Sequence, residues 1–184
     1  MRNLLLFLAT LLALGQMQAA KPHALFVVGT HHYSPHETMP ALASQLDALG
    51  WKTSVLNPGY NPEKNIKGIA GLELLQEADV AIFYTRFLTL PPDQFRLIRL
   101  YLEAGKPVVG FRTSTHAFDY PKDNSLTKWN NGFGSDALGS QYFAHLQGDT
   151  SVTLAKGAGD HPILTGINLA EPIAASGTLY LTDL

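Results

Sequence analysis

No cysteine occurs anywhere in the 184 residues. That excludes disulfides, thiolate nucleophiles and thiolate metal sites, so stability must come from an apolar core. Charge is also scarce: 15% of the residues are charged, against 46% apolar, and the net charge is −2. Such a balance gives no basic field for nucleic acid and no polybasic patch for a membrane surface, so nucleic acid is excluded as a partner. Neither G-x-G-x-x-G nor G-x-x-x-x-G-K-[ST] is present, and no H-E-x-x-H. Nucleotide binding by those loops is unsupported, and no cofactor is expected. The length suits one domain with a full core and is too short for two.

What is present begins with a leader. Arg2 supplies a positive start, residues 4–14 are apolar except Thr10, and residues 16–20 are polar or small apart from Met17. The run falls short of the roughly 20 residues that span a bilayer, and it is apolar all round. A signal peptide over residues 1–20 fits better than a buried N-terminal helix. The mature chain, 21–184, is then secreted or periplasmic, with no stable membrane anchor after cleavage. Self-association into a homo-oligomer is left open.

Beyond the leader, apolar runs alternate with helical patterns. Runs at 23–29, 51–56, 80–84 and 106–111 read as strands, the second nearer a sheet edge because it carries polar residues. Met39, Leu42, Leu46 and Leu49 recur at helical spacing before Gly50. A short helix holds Leu72, Leu74 and Leu75. Pro91-Pro92 and Gly105 bracket a third, with Phe95, Ile98 and Leu102 as its buried stripe. This order predicts an α/β fold: a three-layer, flavodoxin-like, mostly parallel sheet with right-handed crossovers. From 119 to 149 the pattern fails although aromatics persist, as in a lid or binding loop. Segments 151–154 and 177–181 look like later strands.

In such a sheet, ligands sit beyond the carboxyl ends of the strands. Three loops qualify: one with His31, His32, Tyr33, His36 and Glu37, one with Arg86, and one running Arg112-Thr113-Ser114-Thr115-His116. His116 is a candidate acid/base, with His31 or Glu37 assisting. Ser34 and Glu37 have capping-box spacing, but Pro40 disturbs a helix that starts there. Glu37 is therefore either a cap or, with Thr38 capping, free to face the site. Arg112 occupies a strand-to-helix corner where many α/β enzymes carry a nucleophile. A guanidinium cannot attack a carbonyl; it either binds ligand oxygens or pairs internally with a carboxylate such as Glu37. Arg86, Thr113 and Ser114 are candidate substrate contacts. Ser114 lacks a nucleophile-elbow context. One of His31 and His32, with His36 or Glu37 and His116, would make three metal ligands, but no strong spacing supports a metal. Trp129 beside Asn130 and Asn131 suits either a sugar ring or an anchor onto the core, and His145 lies in the same stretch.

An ordered set of motifs carries a family resemblance. It comprises Val28-Gly29-Thr30-His31 with Tyr33 and Glu37-Thr38; Leu90-Pro91 and the helix ending at Gly105; Lys106-Pro107-Val108-Val109-Gly110; and Arg112 to Phe118. Gly139 with Tyr142 and His145, and His161-Pro162-Ile163-Leu164 before Gly166-Ile167, complete it. The chain resembles the ThuA-like (trehalose-utilisation) family of the class I glutamine amidotransferase-like superfamily. The resemblance implies a flavodoxin-type fold and carbohydrate utilisation, hence a small-molecule carbohydrate or derivative as partner. Arg112 stands where the amidotransferases carry a Cys nucleophile, so glutaminase activity is excluded. Many ThuA-like members have His there and run further, so the chain reads as C-terminally truncated. An enzyme, a non-catalytic glycan- or protein-binding module and a histidine-based metal enzyme all remain open.

Overall fold

The computed structural model describes residues 20–58, 66–168, 170–175 and 178–182. The predicted leader therefore lies, apart from Ala20, outside the described residues. Strands β1 (His23–Gly29), β2 (Lys52–Leu56), β3 (Val80–Thr85) and β4 (Val108–Gly110) form a parallel sheet in the order β2-β1-β3-β4. The chain is mixed α/β, and this sheet is compatible with a flavodoxin-like arrangement. β1 is buried along its whole length, as its unbroken apolar run requires of a central strand. The more polar β2 lies at an edge, as expected from its sequence.

Helix α1 (Pro35–Ala48) links β1 to β2, a 3-10 turn (Leu72–Gln76) precedes β3, and α2 (Pro92–Glu103) links β3 to β4. Successive strand side chains point to opposite faces. Leu25, Val27, Ala81 and Phe83 accordingly share one cluster with Phe95, Ile98 and Tyr101 of α2. Ala24, Phe26, Val28, Ile82 and Tyr84 share the other with Met39 and Ala43 of α1. Each large apolar side chain so buried stabilises the fold by roughly 1.5–3 kcal/mol. On α1 the buried stripe runs through Met39 and Ala43, while Leu49, expected inside, is 76% exposed at the helix end. On α2, Tyr101 takes the fully buried place expected of Leu102 and donates its hydroxyl to the Pro107 carbonyl.

Pro40 lies inside α1, and its missing N–H frees the His36 carbonyl. The Asn57 side-chain amide donates to that oxygen at 3.1 Å, replacing the lost bond. The helix starts at Pro35 with Ser34 in the cap position but without a side-chain cap bond. Glu37 does not cap, and Thr38 bonds back to the Ser34 carbonyl from within the helix.

The stretch 119–149 is more ordered than its pattern suggests. It holds a helix, α3 (Trp129–Leu138), and a strand, β5 (Tyr142–His145). Phe133 is fully buried, edge-on to Phe83 and Phe118. Glycines mask this helix in the sequence, and one is required by packing. A Cβ on Gly134 would lie 2.5 Å from the Thr115 carbonyl oxygen and 2.8 Å from that of Ser140. Two antiparallel ribbons lie outside the parallel sheet: β5 with β8 (Tyr180–Thr182), and β6 (Thr150–Val152) with β7 (Ile173–Ala175). Of the strand expected at 177–181, Gly177 lies outside the described residues and the strand itself starts at Tyr180, preceded by a Leu146 N–H bond to the Leu179 carbonyl.

Candidate functional site

The chain moves from β1 outward to β2, then returns to the other side of β1 as β3. The strand order therefore reverses between β1 and β3, and a crevice opens above their carboxyl ends. Backbone bonds tie the turns there together. Arg86 N–H donates to the Gly29 carbonyl, Phe87 N–H to that of His116, and Leu88 N–H to that of Ala117. Side chains reinforce them: Thr113 donates to the Thr85 carbonyl at 2.8 Å, and Ser114 to that of Phe83 at 2.9 Å.

A cavity of about 190 Å³ results. His32 and Tyr33 enter it from the turn after β1, Arg86 and Phe87 from that after β3, and Thr113 and His116 from that after β4. Tyr142, His145, Thr178 and Tyr180 close it from the β5–β8 ribbon. Tyr142 and His145 are three apart, which in a regular strand would send them to opposite faces. The register shifts between Tyr142 and Ala144, a bulge that restores a shared side. The Tyr142 hydroxyl and His145 Nδ1 consequently meet at 2.7 Å.

Arg112 joins ribbon to sheet. Its guanidinium donates to the Thr178 carbonyl and hydroxyl and to the Tyr33 hydroxyl, at 3.1–3.3 Å. The guanidinium carbon lies 4.3 Å from the Tyr33 ring centre and 4.9 Å from that of Tyr180. These are cation–π distances. No ion pair joins Arg112 to Glu37, which is the internal alternative the sequence offered. Glu37 is instead 3.7 Å from His36 on α1, with its side chain 74% exposed.

Electrostatics distinguish the histidines. Arg86 lies 2.7 Å from His32 Nε2. A guanidinium only donates, so that nitrogen accepts and the proton of neutral His32 sits on Nδ1. Burial, then Arg86 and His31, lower the His32 pKa. His116 is 8% exposed and packs against Phe87, Tyr142 and Tyr180. Burial first, then Arg86 and His32, push its pKa down to about 4. At neutral pH it offers a neutral imidazole and no imidazolium proton. Burial raises the Tyr180 phenol, with Arg112 opposing, and the phenol stays protonated.

Strain concentrates at the same place. Among the described residues, four non-glycine positions have a clearly positive φ: Tyr33 at 65°, Ser34 at 52°, Phe87 at 50° and Arg112 at 37°. All four lie in the turns that end β1, β3 and β4. Such backbones cost on the order of 1–3 kcal/mol each and cluster at functional sites.

Of the residues expected to form a site, His116, Arg86, Tyr33, Thr113 and His145 line the cavity, and Arg112 braces its rim. Ser114 does not face it: the hydroxyl is fully buried and spent on Phe83 and Thr85. His31 stacks on His32 with ring centres 5.1 Å apart, because the chain turns there instead of extending. Neither His31 nor Glu37 lines the cavity. Trp129 is not at the cavity either. It tilts over Phe95 at 5.1 Å, and Asn130 holds both the N–H and the carbonyl of Tyr120, so this segment is an anchor. Among the described residues no cluster of three or more metal-ligating side chains forms. Phe87, Thr178 and Tyr180 escape sequence reasoning. Phe87 is adjacent to Arg86 and readable by proximity, whereas the ribbon residues carry no periodic signal that places them here. Compared with protein-family models, curated proteins and solved structures, the chain finds no match in any of the three.

Proposed function

We propose that this cavity binds a small carbohydrate or carbohydrate derivative, in an exported protein of three-layer flavodoxin-like fold related to the ThuA-like proteins. One observation carries the reading: the turns after β1, β3 and β4 and the β5–β8 ribbon converge on a single cavity lined by aromatic rings, hydroxyls, a guanidinium and a neutral imidazole. Aromatic faces suit the C–H face of a sugar ring, while the polar groups suit its hydroxyls. At about 190 Å³ the space is below the roughly 300–1,000 Å³ of drug-sized pockets. That size fits one ring and not an oligosaccharide. Among the described residues no Asp or Glu lines the cavity, so these residues supply no carboxylate pair of the glycoside-hydrolase kind.

A second reading, abstraction of a proton from the bound sugar, is favoured by His116. A neutral imidazole at the cavity wall accepts a proton, and Tyr142 with His145 forms a neighbouring relay.

Thermal shift against a panel of neutral and acidic monosaccharides tests binding. At least one sugar should raise the melting temperature, and Tyr180→Ala should abolish the rise. No shift across the whole panel would overturn the reading. Following the bound sugar by NMR separates a binding module, which returns it unchanged, from an enzyme. Export is tested by N-terminal sequencing of the protein recovered outside the cytoplasm, which should begin near Lys21.

A further inference from the structure

We propose that the cavity selects an acidic sugar, a ring bearing a carboxylate, and that Arg86 is the group that takes the carboxylate. This rests on the carbohydrate reading above and narrows it. Arg86 lines the cavity, and its guanidinium is held in place before any ligand arrives. One N–H is committed to His32 at 2.7 Å, and the guanidinium carbon lies 4.1 Å from the Phe87 ring centre. The other donors of the planar fork keep the geometry that matches a carboxylate edge. Holding the fork in advance reduces the ordering cost of binding.

Charge balance supplies the second argument. Arg112 adds another cation at the rim, and among the described residues neither guanidinium has a carboxylate within ion-pair distance. Among the described residues that line it there is no Asp or Glu. Internal counter-ions are the usual solution for partly desolvated guanidinium groups. Here the anion is left for the ligand to bring. A neutral sugar can accept hydrogen bonds from Arg86 but leaves both charges uncompensated, whereas a sugar acid answers the charge and the fork together. Neither the G-x-G-x-x-G nor the G-x-x-x-x-G-K-[ST] pattern of phosphate-binding loops occurs in the sequence to favour a phosphate.

The test is calorimetric titration of the purified chain with matched pairs, glucuronate against glucose and galacturonate against galactose, with inorganic sulfate as control. At least one acid should bind about tenfold or more tightly than its neutral partner, the range expected of a charge-assisted pair. Arg86→Gln should bring the two affinities together without changing the melting temperature. Arg86→Lys, which keeps the charge and loses the fork, should recover part of the preference. Equal affinity for acid and neutral sugar would overturn the selection while leaving carbohydrate binding intact. Binding of neither would overturn the carbohydrate reading itself. A preference that survives Arg86→Gln would remove Arg86 from the role, and sulfate binding as tightly as the acid would show that the ring is not recognised.

Discussion

His116 links stability to pH. Its pKa is about 4 in the folded chain against an ordinary value near 6.5 when unfolded. As pH falls, the unfolded state takes up the proton first. The stabilisation from keeping this ring neutral is therefore complete above about pH 6.5 and is lost progressively towards pH 4. His116→Phe preserves the aromatic packing and should flatten the melting-temperature profile across that window, by on the order of 2 kcal/mol at its acid end. His23 and His32 titrate in the same direction, so a residual slope should remain. Ser114 poses a different question, because its hydroxyl accepts from the buried Thr85 N–H at 3.2 Å while donating to Phe83. Ser114→Ala leaves that N–H without its partner and should cost about 2 kcal/mol in denaturant unfolding, with sugar affinity unchanged. A hydrolase nucleophile would show the opposite pattern.

The helix α3 illustrates what the sequence can and cannot convey about an element. Strands β1 and β3 were readable because a central parallel strand demands an apolar run, and the run is there. α3 was not, because two of its ten residues are glycine and its polar face resembles a loop. The glycines have different reasons. Gly134 sits against the Thr115 and Ser140 carbonyls, whereas a Cβ at Gly132 meets nothing closer than 3.8 Å. Gly134→Ala should therefore destabilise by about 1–3 kcal/mol and disturb His116 through the neighbouring turn. Gly132→Ala should stabilise by about 0.5–1 kcal/mol. Chemical denaturation of the pair checks both signs. The bulge in β5 shows the same limit at the site. Alternation would have separated Tyr142 from His145, and one irregular residue reunites them. Loops after strands could be assigned to one end of the sheet from chain order alone; ribbon residues could not, since β5 pairs with β8 across the intervening β6 and β7, and nothing local encodes so distant a partner.

At the scale of the whole molecule, stability is unevenly distributed. The first and third strands are buried on both faces, while the ribbons present Phe143, Val152, Ile173 and Leu181 to solvent. Two-stranded ribbons are marginal on their own. Amide hydrogen exchange should give the strongest protection in β1 and β3 and the weakest in β5 to β8. A bound sugar acid should raise protection in β5 and β8, which border the cavity, and leave β6 and β7 unchanged.

The left-handed turns carry one further consequence. Glycine at position 87 would relieve about 1–2 kcal/mol of backbone cost, yet it would also remove the ring against which Arg86 rests. Set against the lost packing on His116, that relief should leave such a variant melting higher than Phe87→Ala, while it holds its ligand worse than the parent. Any campaign that ranks substitutions at such turns by melting temperature alone would favour changes of this kind and dismantle the cleft one rim residue at a time.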